Sequence, residues 1–485
     1  MSRPNLLVIC TDQQRYDTLG CYGNAIVRTP NLDRLAGEGT LFEQCYVQSP
    51  VCAPSRATFF TGLYPRNHGL WANGVALPPG RTFFTKMLAE SGYDCGLAGK
   101  LHLAACEGGR TEPRPDDGFR VFEWAHDPQP GSAENAYHRW LADRFPDLHR
   151  RLMSEGAQRF RRGRDRFKSL PQESHYSHWV AERTIDFLRR GRRSDQPFFW
   201  MANFFDPHHA FGAPEAYLAR YSDLQVPDPV TRPGELDSKP AAQRAASQKS
   251  YAGYAPGFLE YNAEELRGIR AAYYAMVDLI DDEVGRILAC LDELGLREDT
   301  LVVFTSDHGE MLGDHQLLLK GPMMYEGAVR VPLLMRWPGR LPSGTRRPEL
   351  VQWVDLPTTM LVAAGIQVPG QFQGADLLGP GAGEVSARER GWAVCEYRDS
   401  GHPYEPPVHT TMLRQGRHKL VVWHGRPATG RPREGELYDL EADPCELENL
   451  WDAAGHRDVR EELVETLMDV LVATEDRSRP RDANW

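Results

Sequence analysis

Cys52 stands two residues before Pro54 and about one helical turn before Arg56, in the run Ser49-Pro-Val-Cys52-Ala-Pro54-Ser55-Arg56-Ala-Thr58-Phe-Phe-Thr-Gly62. A thiol at the start of a helix points at an anion site made of free backbone N–H groups, and Arg56 can brace the nucleophile and the anion together. Three further clusters each follow an apolar run. Asn5-Leu-Leu-Val-Ile-Cys10 leads to Thr11-Asp12-Gln13, Leu301-Val-Val-Phe304 leads to Asp307-His308, and Pro197 to Phe204 leads to Asp206-Pro207-His208-His209. Asp12 and Asp307-His308 offer matching donors on two strands, and carboxylate oxygen suits a hard divalent cation. Gln13 can add its amide oxygen. An imidazole such as His208 titrates near neutrality, which suits proton transfer. Lys100 and His102, two apart on a segment read as extended, point the same way and suit joint contact with one anion.

Those side chains need a scaffold that brings them together. The apolar runs are short and do not alternate, as expected of strands buried on both faces of a parallel sheet. Helical patterns separate them, at residues 81–91, 176–190 and, most clearly, 262–294. In that last stretch Ile269, Tyr273, Met276, Ile280, Val284, Ile287 and Leu291 form one stripe. Strands alternating with helices predict an α/β sandwich with ligands beyond the carboxyl ends of the strands. Residues 126–175 break the rhythm and read as an insertion rich in Arg (139, 144, 150, 151, 159, 161, 162, 164, 166), a solvated or subunit-contact surface. Residues 221–258 read as an irregular surface excursion. The division expected is a catalytic domain over 1–388 and a smaller α+β unit over 389–485, with strands at 392–397 and 418–423 and a helix at 457–474.

Composition limits the function classes. The chain has 485 residues, 41% hydrophobic and 25% charged, with a net charge of −11; that is an ordinary globular balance. The net negative charge argues against a general nucleic-acid binder, although a small anion can still meet a locally positive cleft. Nine scattered cysteines without a CxxC pair fit neither a disulfide framework nor a zinc ribbon, so a reduced, cytoplasmic setting is expected. The first apolar run is too short for a signal segment or a membrane span.

Cys52-Ala-Pro54-Ser55-Arg56 with Thr61-Gly62 resembles the signature of the formylglycine-dependent (type I) sulfatases, members of the alkaline-phosphatase-like superfamily. The likeness continues in the family's order from Pro4-Asn5 to about Leu450. Gly99-Lys100-Leu-His102, Pro207-His208, Asp307-His308-Gly309-Glu310 and Lys320 before Gly321-Pro-Met-Met-Tyr-Glu326-Gly327 match its motifs, as does Leu437 to Pro444 with Glu446 and Asn449-Leu450. The resemblance implies a three-layer sandwich around a large, mostly parallel sheet, and Cys52 oxidised to formylglycine by a formylglycine-generating or anaerobic maturation enzyme. It implies that the hydrated aldehyde attacks the sulfur of a small-molecule sulfate ester, and that its second hydroxyl allows sulfate to be expelled. One divalent cation would sit on Asp12, Gln13, residue 52, Asp307 and His308; Ca²⁺ is the first choice, with Mn²⁺ open. Arg56, Lys100, His102, His208 and Lys320 would be catalytic, and Asn73, in Trp71-Ala-Asn73-Gly74, would contact substrate with Lys100, His208 and Lys320.

Two features depart from the common family pattern: many relatives have Asp where this chain has Gln13, and Asn where it has His308. Two rival readings stand beside the sulfatase. One is a phosphonate or phosphate ester hydrolase on the same scaffold, although such relatives depart at Ser55 and at the Lys100/His102 pair. The other is a non-catalytic anion-binding protein with an unmodified Cys52. The leaving group, aryl, sugar or small alkyl, and any homo-oligomer stay open.

Overall fold

The computed structural model describes residues 3–106, 109–128, 132–154, 169–221, 226–379, 387–400, 402–426, 428, 430 and 432–476. Arg159, Arg161, Arg162, Arg164 and Arg166 of the predicted insertion lie outside them.

A nine-stranded mixed sheet forms the centre. Its strands are β1 (Asn5–Thr11), β2 (Thr40–Tyr46), β3 (Asp94–Gly99), β4 (Val121–Trp124), β5 (Phe198–Asn203), β6 (Thr300–Ser306), β7 (Leu333–Arg336) and β8 (Thr345–Gln352). They run in the order β8-β2-β7-β6-β1-β5-β3-β4, and a two-residue strand at Arg330–Val331 adds to β2. Five neighbouring pairs are parallel, and β7 runs antiparallel between β2 and β6.

The continuous apolar runs divide between two faces by simple alternation. Leu6, Val8 and Cys10 join one core, Leu7 and Ile9 the other. Helices α1 (Pro30–Gly37), α4 (Ala136–Arg144), α6 (Tyr176–Asp186) and α7 (Ala263–Glu293) cover the second face. Helices α2 (Cys52–Thr61), α3 (Phe84–Glu90) and α8 (Asp355–Ala363) cover the first. The long α7 opens with a capping box between Asn262 and Glu265. The described part of the predicted insertion holds two helices, α4 and α5 (Pro146–Ser154), and Tyr137, Trp140 and Leu141 join the second core together with residues of α6. The described arginines of that stretch are exposed, Arg139 and Arg150 at 55% and 77% of their side chains.

A second sheet, β9 (Trp392–Arg398), β10 (His409–Gln415), β11 (His418–Trp423) and β12 (Glu434–Asp439), is an antiparallel meander backed by α9 (Arg457–Ala473). One face packs on α9 through Val394, Leu413, Leu420, Val422 and Leu437; the other joins the main core through Cys395, Met412, Val421 and Tyr438. Lys419 of β11 clamps the two sheets together. Its Nζ donates to Met324 O at 2.8 Å and pairs with Glu326 and Glu446 at 2.8 and 2.6 Å. All nine cysteines are unpaired, and among the described residues no helix is long and apolar enough to cross a membrane.

Candidate active site

The carboxyl ends of four adjacent parallel strands meet at one rim. Thr11 of β1 pairs with Ser306 of β6, so Asp12 and Asp307 leave the sheet side by side. Cys10 pairs with Asn203 of β5, and Asn203 with Gly99 of β3, which brings Lys100 and residues 206–209 to the same edge. Gly99 is obligatory there: φ is +109°, and a Cβ would meet Asn203 O at 2.0 Å.

Cys52 arrives from the helix side, as the first residue of α2. Val51 is extended at the cap, Pro54 sits in the first turn where no N–H is needed, and Gly62, at φ +67°, closes the helix on Thr58 O. Every residue of α2 is buried, and Ser55 Oγ ties it to Asp307 O at 2.6 Å. The Cys52 thiol is therefore held on a rigid element.

Cys52 Sγ lies 3.0 Å from Lys320 Nζ, 3.3 Å from His308 Nε2 and 3.8 Å from Asp12 Oδ1. One donor atom from each of Asp12, Cys52, Asp307 and His308 falls within 4.8 Å of the others, and all four residues are buried. His308 Nδ1 is 2.8 Å from the carbonyl oxygen of Gly309. A carbonyl only accepts, so Nδ1 carries a proton and Nε2 is the nitrogen turned towards the cluster, where a metal would take it. Gln13, at φ +68°, donates Nε2 to Glu310, which turns its Oε1 towards Lys320 Nζ, 2.8 Å away. Two carboxylates, an amide oxygen and an imidazole make an oxygen-rich set that fits a hard divalent cation.

Buried carboxylates need partners, and Arg56 supplies them. Its Nε donates to Asp307 Oδ2 at 2.8 Å, one terminal nitrogen to Asp12 Oδ2 at 3.2 Å and the other to Lys100 O at 3.1 Å. Arg56 thus braces the two carboxylates rather than the thiol. Lys100 Nζ lies 2.6 Å from Asp12 Oδ2. Burial and Cys52 push the Asp12 carboxyl up, yet Lys100, joined by Lys320, outweighs them and holds it well below its usual range. Burial pushes Asp307 up against the pull of Arg56. Burial also opposes ionisation of Cys52, but Lys100, Lys320 and His308, with a hydrogen bond from His102, bring it well below the ordinary thiol value.

Lys100 and His102 reach Cys52 by a different route from the extended one expected. His102 has φ +62°, and the turn is held by Glu112, which accepts the His102 N–H at 2.9 Å. Burial, joined by Lys100, lowers His102 to about 4. His208 also departs from expectation, because burial and Lys320 lower it to about 3. Its Nδ1 is 2.5 Å from His209 O, so the resting imidazole is neutral with that proton committed. Asn73 caps α2 by accepting the Ala53 N–H at 3.0 Å. His209 lies 3.1 Å from Gln13 Nε2. Residues 221–258, expected to be a surface excursion, send Tyr251 in to 5.6 Å from the His209 ring. Sequence reading missed Glu112 and Tyr251, and it had Glu310 only as part of a motif.

Residues 4–366 match the sulfatase family model. The chain belongs to the sulfatase family. Residues 313–473 of this sulfatase also match the C-terminal model of N-sulphoglucosamine sulphohydrolase. It is 30% identical to the uncharacterized sulfatase YidJ of Escherichia coli, over 97% of this chain and 88% of that one. It is likewise 30% identical to an arylsulfatase of Clostridium perfringens, over 92% and 90% of the two chains. Among solved structures, a phosphonate monoester hydrolase of Agrobacterium radiobacter superposes with a TM-score of 0.80 at 26% identity, over 98% and 97% of the chains. The sulfatase is thus a sulfuric ester hydrolase of alkaline-phosphatase-like fold.

Proposed function

We propose that this sulfatase hydrolyses sulfate monoesters whose leaving group carries a ring, with residue 52 providing the nucleophile and Asp12, Gln13, Asp307 and His308 holding the cation. One observation carries the reading: Cys52 heads a fully buried helix and points into a cluster that pairs metal donors with fixed ammonium groups. When bound, the cation and the formylglycine that family membership implies would supply an acidified hydroxyl nucleophile and Lewis-acid pull on the sulfuryl oxygens. Ca²⁺ is the first choice because oxygen donors dominate, with Mn²⁺ as the alternative that His308 favours.

The chain's own residues do the remaining work. Lys100 and Lys320 meet the charge that develops on the sulfuryl oxygens, and being already desolvated they need no reorganisation. Lys320, 3.0 Å from Cys52 Sγ, gives a proton to the leaving oxygen. Neutral His208 orients that oxygen. His102, also neutral, accepts the proton whose removal allows sulfate to leave. The preference for a ring rests on a file of aromatic side chains leading outward from Gln13. His209 is followed by Tyr251, then by His402 at 6.1 Å, which stacks at 3.6 Å on Tyr254, a residue 66% exposed. Flat faces of this kind suit an aryl group or a sugar ring.

The test is a panel of aryl, sugar and short alkyl sulfates beside phenyl phosphonate, assayed with the wild type and with Cys52→Ala. Turnover of aryl or sugar sulfates that vanishes in the variant is the expected result; intact-mass spectrometry reads conversion of Cys52 on the same sample. The likeness to the Agrobacterium enzyme favours phosphonate ester hydrolysis as a second reading, and faster turnover of phenyl phosphonate than of any sulfate would establish it. Undiminished sulfate turnover by Cys52→Ala would sink the assignment of the nucleophile.

A further inference from the structure

We propose that His102, Cys106 and His126 form a second metal site of soft character, and that Zn²⁺ bound there silences His102. One ring nitrogen of each histidine and Cys106 Sγ lie within 4.8 Å of one another. Tetrahedral zinc, with bonds of about 2.0 Å to nitrogen and about 2.3 Å to sulfur, wants its donors roughly 3.3–3.6 Å apart. Small side-chain rotations therefore close the site. The two imidazoles meet edge to face with centroids 4.6 Å apart.

A separate observation points to a ligand. Among the described residues, Nδ1 of His102 and Nδ1 of His126 are both buried without a hydrogen-bond partner, and His102 is only 7% exposed. A buried imidazole nitrogen is normally satisfied, so two side by side leave a place for something that both can bind. Among the described residues, the thiol of Cys106 lies against two acceptors, Ala104 O at 3.1 Å and Glu112 Oε2 at 3.6 Å. Cys106 and His126 are half-buried, which gives an ion a way in.

The donor chemistry separates this site from the one at Cys52. Two imidazoles and a thiolate select Zn²⁺ or Cu⁺, whereas carboxylates and an amide oxygen select Ca²⁺ or Mn²⁺. Three protein donors leave a fourth position for water, and Glu112, beside Cys106, adds negative charge. The effect on turnover rests on the role proposed above for His102. With Zn²⁺ on Nδ1, the other ring nitrogen keeps the proton and accepts none. The soft site thus acts as a brake on the hard one through a shared histidine.

The experiment uses Co²⁺ as an optical probe on the full-length Cys52→Ala protein with Ca²⁺ in excess, so that no thiol remains at the hard site. A thiolate-to-cobalt charge-transfer band that saturates at a single equivalent, is displaced by Zn²⁺, and is lost when Cys106→Ala is added is the expected result. This arm needs no sulfatase turnover, so it reads the site even if the proposed reaction is wrong. Absence of the band in Cys52→Ala, or its persistence after Cys106→Ala, overturns the site. In the turnover arm, micromolar Zn²⁺ should inhibit the wild type while Cys106→Ala and His126→Ala keep both their basal rate and their activity in zinc. Equal inhibition of the variants would place the zinc at the Cys52 cluster and overturn the brake.

Discussion

Arg56→Met removes three hydrogen bonds and one charge while keeping much of the side-chain volume. Asp12 and Asp307 have no side-chain exposure, and neither has Arg56. Breaking a buried pair by deleting one partner costs about 3–5 kcal/mol, because the remaining charge stays in a poor solvent. The loss falls unevenly. Asp12 keeps Lys100 at 2.6 Å, whereas Asp307 Oδ1 keeps the Gln13 N–H at 3.1 Å and Oδ2 loses its guanidinium. Protonation of Asp307, already favoured by burial, caps the penalty. The Lys100 carbonyl loses one of two donors and keeps Asn203 Nδ2 at 2.7 Å, which adds at most about 1 kcal/mol. We expect a total near 4 kcal/mol, set against a typical stability of about 5–15 kcal/mol. A cation present at about a hundred times its dissociation constant adds about 2.7 kcal/mol to any protein that binds it only when folded. In the variant it also replaces a missing positive charge, so Ca²⁺ should raise the urea midpoint of Arg56→Met more than that of the wild type. Arg56→Lys keeps the charge without the fork and should fall between them. Urea unfolding with chelator and with Ca²⁺, alongside elemental analysis, reads all of these. A loss under about 1 kcal/mol in chelator, the range of an exposed pair, would refute the claim that the guanidinium holds these carboxylates.

Asp307→Ala should lose metal and turnover together, and stoichiometric metal in that variant by elemental analysis would show the ligand set to be misplaced. Across esters graded by leaving-group pKa, Lys320→Ala should lose most on the poorest leaving groups, within the range of about 10²–10⁴-fold for general acid catalysis. His208→Ala should lose by a similar factor on every ester; the reverse pattern would make His208 the acid. Cys52→Ser should accumulate sulfated protein, detectable by intact mass, because a serine can attack but lacks the second hydroxyl needed to release sulfate. Lys419→Met takes the ammonium from Glu446, while Glu326 keeps Arg330 at 3.2 Å, and should cost about 3 kcal/mol, seen as an earlier unfolding midpoint with metal content unchanged.

The strands that lead to Asp12 and Asp307 were legible because both of their faces are buried. β1, β5 and β6 appear in the sequence as unbroken apolar runs, and their register sets Asp12 beside Asp307 without further information. Other strands left no such trace. β3 contains Gly96 and Gly99, β4 is a four-residue edge strand, and β8 begins Thr-Arg-Arg-Pro-Glu because it borders the sheet and is half exposed. The C-terminal unit was half visible: β9 and β11 have apolar stretches, whereas β12 reads Glu-Gly-Glu-Leu-Tyr-Asp. At the site, residues whose chemistry announces itself were found. Those that act by holding others were not. Glu112 grips the His102 turn from a segment without pattern, and Tyr251 comes from a stretch whose composition suggested only a loop.

Charge ties these layers together. The protein is acidic overall, yet Arg56, Lys100 and Lys320 converge on two carboxylates at Cys52. A divalent ion on those carboxylates leaves the pocket strongly positive, which suits a sulfate ester in a way the net charge of −11 conceals. Each cation is already stripped of water and fixed, Lys100 by Asp12 and by the face of Phe205 5.2 Å away. Water would have to reorganise around a charge forming on the sulfuryl group; these side chains do not. The cost of placing them there is met when the chain folds, through the buried α2 and the strands on either side. This is why the catalytic geometry depends on Arg56, a residue that touches neither the thiol nor any atom expected to react.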